Sequence, residues 1–112
     1  TKGEGRFTDF AVSSKLNGAK AAAGENVYTA KCMSCHKLSE EKLVGPGLKG
    51  VTIKRHPAWV LNFITNTDAM LNKDPLAKRQ LEICMVRMPN LNLSDAEVMN
   101  VYEFMRSNDG AE

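Results

Sequence analysis

The run K31-C-M-S-C-H36 constrains this chain more than any other stretch. It places two thiols and an imidazole, those of Cys32, Cys35 and His36, within five residues. Groups so close together must share one helix end or one bend, and the fold has to keep that spot available to whatever they bind. The rest of the chain is small. At 112 residues it makes one domain, which buries roughly two-thirds of the surface its unfolded chain exposes. Such a core is modest, and a buried bound group would add to it. An apolar fraction of 43% is globular rather than disordered. No apolar run approaches the roughly 18 residues of a membrane helix.

Three chemistries compete for the motif. A redox dithiol wants its C-x-x-C at a helix N-terminus after a strand, where the dipole lowers the thiol pKa. Here the cysteines end a predicted helix, and no βαβ pattern surrounds them. Zinc needs four ligands and usually a second Cys/His pair. Cys84 or His56 would have to complete the set, and neither lies in a paired knuckle. Haem attachment uses every residue present. Two cysteines three apart add across two vinyl groups, and the following histidine binds the iron. A purely structural role for all three residues stays open beside these. Three cysteines are an odd number, which argues against a disulfide scaffold.

The remaining pattern is helical. Residues 1–19 lack periodicity and read as an arm or linker, with Phe7, Phe10 and Leu16 pinning it to the body. A first helix is predicted from about Lys20 to Cys32; its Ala-rich start favours helix, whereas Gly24 costs about 1 kcal/mol there. A close helix crossing would offset that cost. Residues 37–54, with G45-P-G47, read as loop. A second helix is predicted from Pro57, carrying Trp59, Val60, Phe63 and Ile64. A third starts after Asp74-Pro75, with Ala77, Leu81 and Cys84 on one stripe. A fourth starts at Ser94, where Glu97 completes a capping box, and turns Val98, Val101, Tyr102 and Met105 inward. No strand alternates convincingly. The expected domain spans 20–108, followed by a tail at 109–112.

The stretch R87-M-P-N-L91 adds a second ligand candidate. Met88 lies in a loop before the last helix, and Pro89 limits the backbone beside it. Iron held by His and Met has a raised potential suited to electron transfer. Met85 is the runner-up, and Met33, Met70, Met99 and Met105 fit other roles. His56 reads as a helix-starting residue.

Together these residues resemble the class I, single-haem cytochromes c over roughly residues 21–107. G24-E-N-V-Y-T-A-K-C-M-S-C-H36 is similar to the family's first helix and haem site. V44-G-P-G-L-K-G50 is similar to the following loop, R55-H-P-A-W59 to the segment that partners the haem propionates, and M88-P-N-L91 to the distal ligand loop. The resemblance implies an all-α fold of four to five helices and long loops around one haem c, joined through Cys32 and Cys35. It implies axial ligands His36 and Met88, a Pro46 carbonyl accepting from His36 Nδ1, and Arg55 and Trp59 at the propionates. It also implies that Gly24 faces Tyr102 where the first and last helices cross. Small bacterial periplasmic cytochromes, or a cytochrome domain of a respiratory enzyme, are the nearest types.

The function so implied is one-electron shuttling between respiratory-chain proteins in the bacterial periplasm, either soluble or tethered through the N-terminal arm. Charge suits this. Residues 31–87 hold ten Lys/Arg against five acids, and residues 88–112 hold Arg106 against five acids. A basic middle fits a redox partner with an acidic docking face. Lys37, Lys42, Lys49 and Arg87 are the expected rim. No basic cluster comes with interleaved aromatics, which argues against nucleic acid. The chain is expected to be a monomer, with Cys84 a buried inert thiol. The rival readings are a haem enzyme or gas or redox sensor with a labile sixth ligand, a structural module, and an electron-entry domain of a larger oxidoreductase.

Overall fold

The computed structural model describes residues 1–9 and 12–112; the expectation for Phe10 lies outside them. Six helices are present among the described residues: α1 (Gly18–Lys31), α2 (Val51–Lys54), α3 (Pro57–Thr65), α4 (Thr67–Lys73), α5 (Pro75–Cys84) and α6 (Asp95–Asn108). No strand occurs among them.

Caps explain most of the boundaries. Asn17 accepts from Lys20 N at 3.0 Å and starts α1 two residues earlier than expected. His56 Nδ1 accepts from Ala58 N at 3.0 Å and starts α3, with Pro57 at its first position. Asp74 caps α5 through Ala77 N, and Ser94 and Glu97 form the reciprocal capping box of α6. Each cap supplies an acceptor to an amide that the helix itself leaves unpaired.

Two helices were not expected. Residues 51–54 belong to α2 rather than to loop. Gly50 turns the chain with a left-handed φ of 87°, and Asp109 takes hydrogen bonds from Gly50 N (2.6 Å), Thr52 N (3.0 Å) and Thr52 Oγ1 (2.6 Å). Asp109 is therefore part of the packed body, not of a free tail. The second is α4, whose composition is polar. It forms because Thr67, Met70 and Leu71 share one buried face at helical spacing.

The crossing of α1 and α6 organises the core. A Cβ at Gly24 would stand 1.9 Å from Asn100 O and 2.9 Å from Val101 N. Gly24 thus meets the backbone of α6 at Asn100 and Val101, next to Tyr102, the residue the resemblance set opposite it. Two backbones can approach this closely only where no side chain separates them. The aromatic pair near the crossing is Tyr28 with Phe104, centroids 5.4 Å apart. Trp59, Leu61, Met70, Val98, Val101, Tyr102 and Met105 fill the interior.

The first nine residues lie on this body. The amide of fully buried Asn62 accepts from Phe7 N (3.0 Å) and donates to Lys2 O and Phe7 O (both 2.8 Å). Glu4 N donates to the sulfur of Met70 at 3.0 Å. Phe7 packs against the core, and Leu16 N donates to Glu112 O.

Candidate cofactor site

Helix α1 ends on the motif. Tyr28 O accepts from both Cys32 N (2.8 Å) and Met33 N (2.9 Å), and Cys32 O then accepts from Cys35 N and His36 N. This tight turn carries the chain from Cys32, which is 8% exposed, to half-buried Cys35 and His36. The turn sits at the C-terminal end of the helix dipole, which disfavours a thiolate. Burial, then the neighbouring Cys35, push the Cys32 thiol up, so it stays protonated at neutral pH. Both features oppose the dithiol reading, which requires an activated thiolate. Among the described residues no group of three or more His, Cys, Asp or Glu side chains converges as a metal site. Zinc therefore has no tetrahedral donor set here.

His36 is held on three sides. Its Nδ1 lies 2.8 Å from Pro46 O, the geometry of an N–H donating to that carbonyl. Its own carbonyl accepts from Tyr28 Oη at 2.7 Å. Burial pushes the Tyr28 phenol up and keeps that proton in place. Gly45 lies against the imidazole, where a Cβ would stand 2.5 Å from His36 Cε1 and 2.9 Å from Nδ1. With Nδ1 engaged, Nε2 is the nitrogen left to bind a metal. Sequence reasoning named Pro46 but gave Gly45 no role; its G-P-G context marked only a turn.

Trp59 departs from expectation. Its ring is buried, and its Nε1–H donates to Asp74 Oδ2 at 2.9 Å. The indole donor assigned by resemblance to a propionate is thus already engaged. The physical reason is mutual: a buried indole N–H needs an acceptor, and the buried Asp74 carboxylate needs donors. Arg55 lies with its guanidinium carbon 5.4 Å from the Trp59 ring centroid, and no carboxylate among the described residues lies within ion-pair reach of it.

The methionines sort by environment. Met70 is fully buried with its sulfur hydrogen-bonded, and Met105 is buried in the core. Met85 ends α5 in a left-handed conformation, φ 63°, and is 84% exposed. Met88 is half-buried in the loop between α5 and α6. Cys84 is half-buried rather than buried. Of the expected docking rim, Lys37 lies 3.6 Å from Glu41 and Arg87 3.3 Å from Asp68; Lys42 and Lys49 are exposed with no ion-pair partner among the described residues.

This helical frame and its Cys-x-x-Cys-His turn define a haem protein of a known class: the chain belongs to the cytochrome c family, whose model matches residues 21–109. Cytochrome c from Rhodothermus marinus is similar over 96% of this chain and 92% of its own, with 25% identity and a TM-score of 0.90. An engineered R. marinus cytochrome c bound to a carbene intermediate covers 94% of this chain and 90% of its own, with 26% identity and a TM-score of 0.85. The cytochrome c domain of a Pseudomonas putida protein has 33% identity and a TM-score of 0.67, covering 77% of this chain and 87% of its own. No curated protein sequence matches. The family implies a c-type haem and electron transfer. The residues fit that group. Two thiols stand three apart, the imidazole is oriented through Nδ1, and a Cβ-free surface at Gly45 lies against it.

Proposed function

We propose that this protein is a one-electron carrier whose haem c is joined through Cys32 and Cys35, with His36 and Met88 as axial ligands. The observation that carries the reading is the His36 Nδ1 to Pro46 O contact at 2.8 Å. It fixes the tautomer and orientation of a histidine that has no other reason to be held so, and raises its basicity as a ligand. The bound haem would supply Fe(II)/Fe(III) cycling. Pro46 O and Gly45 orient the imidazole, and the loop before α6 carries the half-buried Met88. With His36 and Met88 both bound to the iron, the protein would pass electrons without taking a substrate there.

The partners are redox proteins of the respiratory chain with an acidic face, met through Lys42 and Lys49 and their surroundings. Such encounters are weak and steered by charge. The protein works as a monomer in the bacterial periplasm, soluble or tethered. Arg55 is the remaining propionate partner, since the Trp59 N–H is engaged by Asp74.

The visible spectrum of holoprotein from a host that attaches haem c tests this. Sharp c-type bands on reduction and a weak long-wavelength sulfur-to-iron band on oxidation are expected. Met88→Ala abolishes the weak band and leaves the c-type bands. Persistence of the weak band in that variant would transfer the ligand role to Met85.

A further inference from the structure

Residues 86–93 bridge α5 and α6 and carry Met88. Among the described residues, none of their main-chain groups joins a main-chain hydrogen bond. Met85 (φ 63°), just before the loop, and Asn92 (φ 55°), inside it, are both left-handed. Its second half is anchored. Leu93 is buried, Leu91 packs against the core, and Asn92 N donates to Asn90 Oδ1 at 2.9 Å. Its first half has exposed Met85 and Val86. One side chain ties that half down: Arg87 Nη2 reaches Asp68 Oδ1 and Asn72 Oδ1, both at 3.3 Å. Those acceptors stand one turn apart on one face of α4. Met88 thus sits between an apolar anchor at Leu91 and a polar tether on the residue before it.

We infer that Arg87 is a positioning residue for the sixth ligand, holding Met88 in place through Asp68 and Asn72 on α4. This rests on the ligand assignment proposed above. A ligand on a loop with few internal bonds leaves the metal as often as the loop opens, so the tether sets how readily an outside molecule takes the sixth position. Arg87, although exposed, accordingly lies over α4 with both acceptors engaged and is not a free member of the docking rim.

The test is a titration of oxidised holoprotein with imidazole, followed through the sulfur-to-iron band. Arg87→Ala is expected to bind imidazole about two- to fivefold more tightly than the parent, the size of an exposed ion pair's contribution. Asp68→Ala moves affinity the same way, and the double variant adds little to Arg87→Ala, because Asp68 acts on the loop only through Arg87. High salt narrows the gap between parent and variant. Arg79→Ala, which removes an exposed cation from α5, leaves imidazole binding unchanged. Melting of the whole protein moves little in any of them, so a general loss of stability would not mimic the result. Unchanged affinity in Arg87→Ala, or an equal change in Arg79→Ala, overturns the tether and leaves the ligand assignment standing. A parent without the sulfur-to-iron band overturns both.

Discussion

Between Cys32 and Lys49 the main chain closes on itself repeatedly. Cys35 N and His36 N reach Cys32 O, Gly45 N reaches Cys35 O at 2.7 Å, Leu43 N reaches Gly45 O, and Leu48 N reaches Lys37 O. Between Val86 and Leu93 the main chain makes no such bond among the described residues. One segment carries His36 and the other Met88, the two ligands proposed above. His36 is built into a knot of backbone hydrogen bonds; Met88 rides on a loop pinned at a few side chains. If both bind iron as proposed, the protein would keep His36 through large fluctuations and give up Met88 first, because local opening follows the density of contacts that must break.

Crowding the proximal side is the sharpest way to test this contrast. Gly45→Ala puts a methyl group 2.5 Å from His36 Cε1, and the Pro46 bond prevents the ring from yielding freely. Overpacking of this kind costs about 2 kcal/mol, measurable by denaturant melting of the holoprotein, and the electron paramagnetic spectrum of the oxidised iron should change with it. A variant that melts and resonates like the parent would show the proximal knot to be as yielding as the distal loop.

A milder change acts on the same side. Tyr28→Phe removes the hydroxyl that donates to His36 O at 2.7 Å. Losing one partly buried hydrogen bond costs about 1 kcal/mol, read as a lowered denaturant midpoint at unchanged slope. The sulfur-to-iron band should survive, since the distal loop is untouched.

The smallest effect belongs to the distal boundary. Hydrogen bonds from Ser94, main chain first and side chain second, hold the Glu97 carboxyl below its ordinary value of 4.5. A depressed carboxylate contributes stability above its unfolded pKa, and that contribution fades as pH falls through the folded value. Glu97→Gln should therefore lower stability slightly at neutral pH, where that contribution is fully present, and flatten the acid limb of the stability curve below about pH 4.5, where the parent loses it as well. An acid limb identical to the parent's would remove the capping box from the pH response.

Much of the fold is local in origin and was legible as such. Asp74-Pro75 and the Ser94–Glu97 box announce α5 and α6, and Pro57 announces α3, because caps and prolines act within one turn of chain. The motif itself was equally plain: Cys32, Cys35 and His36 owe their proximity to sequence spacing and one helix end. Helix α4 was missed since its polar composition hides a three-residue buried face that exists only once Trp59 and the N-terminal segment cover it. The short α2 was missed for a related reason, as its first turn is capped by Asp109, 57 residues further along.

The amino-acid sequence by itself determined the helical class, the Cys-x-x-Cys-His motif and the loop that carries Met88, since these follow from periodicity, capping and covalent spacing. The tertiary structure decided which donors are free. It gave the Trp59 N–H to Asp74, turned Arg87 onto α4, set Gly24 against the backbone of α6 and Gly45 against the imidazole. Each of those outcomes depends on segments far apart in the chain meeting within a few ångströms. A buried polar group takes whatever partner the packing brings to it, and no local pattern records that choice.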